Sequence, residues 1–177
     1  MMTKIKTLVI VDMQNDFIDG SLANPAAAAI VEPMAEYIKA WDGAQIICTR
    51  DSHFSDYFET QEGKNLPIKH CMCGTAGWEV HDDLFEAIRT KTCDWSIVDK
   101  YSFGDIETLD DELDAYVNEI YICGTCTDIC VVSVALNLKA RYPEVKIYCI
   151  ADLCAGLTPE KHDAALEVMK SCQIEVI

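Results

Sequence analysis

Short unbroken apolar runs alternate along this chain with stretches in which apolar residues return every three or four positions. The run Thr7-Leu-Val-Ile-Val11 stops abruptly at Asp12, the pattern of a strand covered on both faces of a parallel sheet. Residues 44–49, 95–98, 119–123, 145–150 and 173–177 read as further strands. Between the first two, Ala27, Ile30, Val31, Met34, Ile38 and Trp41 recur at helical spacing, and residues 79–89, 109–117, 127–140 and 159–171 follow the same rule. The last of these opens on Thr158-Pro159, a hydroxyl N-cap followed by proline at the first helical position. Strands and helices in alternation predict an α/β fold, a three-layer α/β/α domain over residues 1–177 with a mostly parallel six-stranded sheet.

An open sheet of this kind binds ligands beyond the carboxyl ends of its strands. Asp12, Asp51, Lys100 and the loop leading to Cys130 all fall at or just after expected strand ends, so chemically loaded positions converge on one edge. Gly124-Thr-Cys-Thr-Asp-Ile-Cys130 reads as a strand end, a tight loop and a helix start, where free N–H groups and the helix dipole favour a thiolate. A cysteine nucleophile needs a proton acceptor, a cation to support its charge and donors for the oxyanion. Asp12, Lys100 and the backbone N–H groups of Cys126 and Cys130 can fill those roles. The helix behind Cys130 is apolar almost all round, so an inert core thiol is the competing reading.

Residues 52–78 show neither period, carry Gly63, Pro67, Gly74 and Gly77, and hold two of the four histidines. A long irregular segment in a compact domain is usually functional, and this one is read as the wall and lid of the site. Asp51 and His53 lie two residues apart, on one side of an extended chain, and His70 can fold back toward them. One carboxylate and two imidazoles suit Zn²⁺, Fe²⁺ or Mn²⁺ in a catalytic setting, with Glu62 as a further candidate ligand. The alternative is a hydrogen-bonded Asp–His pair beside an exposed His70. His81 and His162 sit on expected helices and read as capping or surface residues.

Composition narrows the partners. The 14 Lys and Arg against 30 Asp and Glu leave a formal charge of -16, which repels phosphate backbones and anionic lipid. Neither a nucleic acid nor a membrane is expected as partner; a neutral or zwitterionic small molecule is. The apolar run after Met-Met-Thr-Lys-Ile-Lys is too short for a signal segment, so a cytoplasmic location is expected. The ten cysteines therefore read as free thiols rather than disulfides, and Cys71-Met-Cys73 as ordinary loop residues.

Taken together, these motifs resemble the cysteine hydrolases of the isochorismatase-like superfamily, and within it most nearly the nicotinamidases. Val11-Asp12-Met-Gln-Asn-Asp-Phe17 is similar to the family's first motif, Thr49-Arg-Asp51-Ser-His53 with His70-Cys-Met-Cys-Gly-Thr75 to its metal loop, and Lys100-Tyr-Ser-Phe103 to its lysine motif. Gly124-Thr-Cys-Thr-Asp-Ile-Cys130-Val is similar to the nucleophile motif, and the resemblance implies a cis peptide between Thr125 and Cys126. It further implies Asp12 as general base, Asp51, His53 and His70 as ligands of a divalent transition metal, zinc first with iron or manganese as alternatives, and Glu62 as the extra ligand of some members. Phe17, Phe103 and Leu66, the last where an aromatic residue is common, are the implied substrate contacts. The implied activity is hydrolysis of nicotinamide to nicotinate and ammonia through a thioester, by a homo-oligomer. Within the family, a metal-free amidase acting on an N-carbamoyl, ureido or maleamate-type compound is the alternative. A non-catalytic binding module is the other, against which the presence of Asp12, Lys100 and Cys130 speaks.

Overall fold

The apolar run that ends at Asp12 is the middle of the sheet. The structure, a computed structural model, describes residues 5–177, so Met1 to Lys4, part of the segment read above for a signal, lie outside the described residues. The chain runs β1 (Ile5–Val11), α1 (Asn15–Ile18), α2 (Pro25–Ala29), α3 (Val31–Ala40), β2 (Gln45–Asp51), α4 (Gln61–Asn65), α5 (Asp82–Arg89) and β3 (Asp94–Lys100). It continues α6 (Glu107–Glu112), β4 (Val117–Thr125), α7 (Val132–Arg141), β5 (Lys146–Ala155), α8 (Pro159–Ser171) and β6 (Glu175–Val176). Strand order is β3-β2-β1-β4-β5-β6, and every pairing is parallel, where the sequence pattern led us to expect a mostly parallel sheet.

The first three strands advance toward one edge; the chain then returns past β1 and the last three advance toward the other. Right-handed crossovers in opposite directions put their helices on opposite faces. Accordingly α3 packs on α5, and α7 on α8. Leu8, Val9, Ile46, Ile47, Ile120 and Ile122 are fully buried between the layers, which is why the centres of those strands are apolar. Burying each such side chain contributes about 1.5–3 kcal/mol.

The order reverses between β1 and β4, and there Val11 pairs with Gly124. Gly124 has φ +126°, and a Cβ on it would lie 2.1 Å from the Val11 carbonyl oxygen, so only glycine lets these two strand ends approach. Asp12 and the Cys130 loop leave the sheet from this pair of ends.

Several boundaries differ from the sequence pattern. The expected helix through residues 27–41 divides at Ile30 into α2 and α3, because the Pro33 ring would meet the Ala29 carbonyl in an unbroken helix. Val117 begins β4 instead of ending a helix; the Asp114 side chain accepts the Tyr116 N–H at 2.7 Å and stops the helical turn short of it. Between the pairs Ile122–Cys149 and Gly124–Cys154, β4 has one residue and β5 has four, a bulge that carries β5 on to Ala155. Residues 52–78 are not structureless: they contain α4, two single-turn helices (Tyr57–Glu59 and Ala76–Trp78) and a bridge between His53 and Met72. All ten cysteines are free, and among the described residues no helix is long and apolar enough to cross a membrane.

Candidate active site

Three strand ends bring Asp12, Lys100 and Cys130 together. Asp12 follows β1 with φ +51°, a left-handed conformation aspartate tolerates better than most residues. Its N–H donates to the Thr49 carbonyl at 3.2 Å and its Oδ1 accepts the Thr49 hydroxyl at 2.7 Å, which ties it to the neighbouring β2. Lys100, the last residue of β3, is wholly buried; its Nζ lies 2.8 Å from Asp12 Oδ2 and 3.5 Å from Cys130 Sγ. The Nζ contact with Asp12 Oδ2 is a buried ion pair. Cys130 lies beside this pair, in contact with Lys100 and close enough for the Asp12 charge to act on its thiol.

Cys130 does not sit on the first turn of a regular α-helix. Residues Thr127–Val131 form a wider π-type turn, in which the Val131 N–H reaches back five residues to the Cys126 carbonyl at 3.1 Å, and α7 begins only at Val132. Burial pushes the Cys130 thiol well above its ordinary pKa, and the charge of Asp12 adds to the effect while Lys100 pulls the other way. A helix terminus contributes at most about 2 kcal/mol toward a thiolate, whereas full burial of a titratable group shifts its pKa by roughly 3–5 units, each about 1.4 kcal/mol. Burial outweighs the helix terminus, and the thiol is favoured over the thiolate. Burial also raises the Asp12 carboxyl, against the pull of Lys100. Burial opposes the Lys100 ammonium, but the charges of Asp12 and Asp51 outweigh it and hold that group above the usual lysine range.

Asp51, His53, Glu62 and His70 form a second group, their donor atoms all within 4.8 Å of one another. His53 Nε2 is 2.9 Å from Asp51 Oδ2 and 3.2 Å from His70 Nε2, while Glu62 Oε1 lies 3.7 and 3.5 Å from the two ring nitrogens. His70 Nδ1 donates to the Ile68 carbonyl at 2.9 Å, which turns Nε2 toward the group. Four ligands held tetrahedrally at about 2.0–2.1 Å from a zinc ion stand roughly 3.3–3.4 Å apart, close to the separations found here. Burial works against a charged His70, yet hydrogen bonds from its ring to the Asp51 and Glu62 carboxylates push its pKa up to about 10. A potential that holds a proton so firmly also suits a dication, and these four residues could hold one. His70 is buried, which removes the reading of an exposed histidine beside a simple Asp–His pair.

Both groups face one cavity of about 580 Å³. Cys130, Asp51, Glu62 and His70 line it, as do Phe17, Leu66 and Phe103, the expected substrate contacts, and Cys126. Phe17 and the His70 ring lie 5.6 Å apart between centroids. The bond between Thr125 and Cys126 is cis, as the motif implied. His81 caps α5 by accepting the Asp83 N–H at 3.4 Å, and half-buried His162 of α8 hydrogen-bonds to Thr127 at 2.9 Å.

With this geometry in view, comparison with known proteins gives one result. The family model of the isochorismatase domain matches residues 6–177. The chain belongs to the isochorismatase family. A nicotinamidase/pyrazinamidase of Mycobacterium tuberculosis is 29% identical over 187 aligned residues that take in 98% of each chain. Among solved structures, the pyrazinamidase of Pyrococcus horikoshii in complex with zinc is 31% identical, with a TM-score of 0.75 and coverage of 97% of this chain and 98% of the other. The nicotinamidase/pyrazinamidase of Bacillus subtilis, 24% identical, has the same fold at a TM-score of 0.85, covering 97% and 98%.

This isochorismatase-family site also relies on residues that pattern reading passed over. Gln14 is fully buried; its Nε2 donates to the Asp51 and Trp78 carbonyls at 2.9 Å each, and its Oε1 accepts the Asp51 N–H at 2.8 Å. Asp16 accepts the Cys71 N–H at 2.7 Å, joining the first loop to the segment that carries His70. Thr49 supports Asp12 from inside an apolar strand. The signal available for Gln14 and Asp16 was their place in an unusually polar loop immediately after a strand end. Leu22, Asn24, Ile129 and Leu157 line the cavity as well, and nothing local in the sequence marked them.

Proposed function

We propose that this chain is a cysteine-dependent amidohydrolase, a nicotinamidase that converts nicotinamide and water to nicotinate and ammonia. The observation that carries the reading is the buried Asp12–Lys100–Cys130 constellation opening on the same cavity as the Asp51–His53–Glu62–His70 group. Asp12 takes the thiol proton as Sγ attacks the amide carbon, so charge develops on sulfur only as the new bond forms. Lys100, 3.5 Å from Sγ, supports that charge. The backbone N–H groups of Cys126 and Cys130 hold the oxyanion. Asp12 returns its proton to the departing ammonia, then accepts one from the water that attacks the thioester and passes it to the Cys130 sulfur as the C–S bond breaks and the acid is released. Phe17, Leu66 and Phe103 enclose the ring. A divalent transition metal held by Asp51, His53, Glu62 and His70, zinc or else iron or manganese, supplies when bound a Lewis-acid anchor for the ring nitrogen.

A metal-free amidase would leave the four-donor group without a role, and a non-catalytic module would leave the buried Asp12–Lys100 pair without one. The free thiols support a reducing, cytoplasmic setting. The test is ammonia release from nicotinamide by purified, metal-replete protein. No release, or undiminished release by Cys130→Ala, rejects the assignment.

A further inference from the structure

The cavity is larger than nicotinamide needs. Allotting each non-hydrogen atom the roughly 30 Å³ that a molecule occupies in liquid water, nicotinamide takes at most about 270 Å³. The cavity measures about 580 Å³, so more than half of it is left over.

Part of the cavity wall is used by neither polar group. Leu22, Ile129 and Leu157 line the cavity but belong to neither the Asp12–Lys100–Cys130 constellation nor the four-donor group. Their segments are fastened to one another: Asn24 Nδ2 donates to the Gly156 carbonyl at 3.0 Å, and the Leu157 N–H donates to Asp128 Oδ1 at 2.9 Å. The peptide group that leads into Leu157 is therefore fastened at both its carbonyl and its N–H, while Leu157 itself is 50% exposed. The amide of Asn24, which also lines the cavity, is committed at both ends, since its Oδ1 caps α2 through the Ala26 N–H at 3.0 Å. A ligand meets apolar surface here and a polar side chain already engaged.

We propose that this wall is a subsite for an apolar substituent, so that the preferred substrates are heteroaromatic primary amides carrying a short alkyl chain. The proposal rests on the amidase reading and deepens it. Each methylene buried against such a wall is worth about fourfold in transition-state binding, and the anchored loop takes it up without rearrangement.

The experiment is a series of nicotinamides bearing methyl, ethyl, propyl or butyl groups at each ring carbon in turn, with kcat/KM measured from ammonia release. At one ring carbon kcat/KM rises with chain length and ends at least about tenfold above nicotinamide. In Leu157→Asp and Leu22→Asp that rise flattens, so the ratio of butyl compound to parent falls at least about tenfold. Hydrolysis of nicotinamide with flat or falling kcat/KM along every series overturns the subsite alone, as does a rise that both variants preserve. A protein that releases no ammonia from any member overturns the amidase reading and the subsite with it.

Discussion

Lys100 and Asp12 are paired at 2.8 Å with neither side chain reaching solvent. Two opposite charges so buried are costly to separate, because removing one leaves the other with neither water nor a counter-ion. Lys100→Met is expected to lose about 3–5 kcal/mol of stability in urea denaturation, along with activity. The double variant Asp12→Asn with Lys100→Met is expected to recover much of that stability but none of the activity. Equal destabilisation of the single and double variants would show that the pair is not the source.

The state of the resting nucleophile follows from burial. With its pKa raised above the ordinary 9.0, the Cys130 thiol is protonated at neutral pH. Its alkylation by iodoacetamide, followed by peptide mapping in the absence of substrate, is expected to accelerate about tenfold per pH unit up to and beyond pH 9. A plateau below pH 8 would reveal a thiolate at rest and contradict the structure.

Asp12 sets the acid limit of the reaction. A raised pKa keeps a carboxyl protonated at higher pH than usual, so as pH falls the base is lost sooner than an ordinary carboxylate would be. The acid limb of kcat/KM is expected above 3.8, the ordinary aspartate value. A limb at or below that value would remove Asp12 from the role.

Metal content separates the ligands by burial. His70 is 2% exposed on its side chain and Glu62 24%. Purified His53→Ala and His70→Ala are expected to lose stoichiometric transition metal on elemental analysis, while Glu62→Gln retains it with weaker affinity under chelator titration. Full metal content in both histidine variants would break the assignment.

Gln14 is a positioning residue for Asp51. In Gln14→Leu the buried N–H and carbonyl of Asp51 lose their partner, an expected cost of about 1–3 kcal/mol per unsatisfied group. Metal affinity is expected to fall with stability, since Asp51 is no longer held. Unchanged values for both by denaturation and chelator titration would mean that Asp51 is placed by the sheet alone.

The layout of the sheet and the position of Asp12, Asp51 and Lys100 at its edge were legible along the chain. A strand buried on both faces is apolar through its centre, so the polar residues that follow an apolar run mark where the strand meets the site. The Cys130 motif was legible for a related reason: a loop between parallel strand and helix is short, and its chemistry lies within a few residues. Local pattern went wrong where local forces compete, as at Pro33 and at Asp114, whose side chain diverts the backbone before Val117.

What the sequence by itself determined, then, is which side chains the fold delivers to one edge, because strand and helix periods are properties of neighbours in the chain. Tertiary structure alone decided what those side chains are once there. The proton on Cys130 depends on desolvation summed over every packed neighbour, and the ligand geometry depends on a 17-residue return from His53 to His70. The size of the cavity depends on Leu22, Ile129 and Leu157 meeting from three separate segments. Those quantities arise from distance in space, and no period along the chain encodes them.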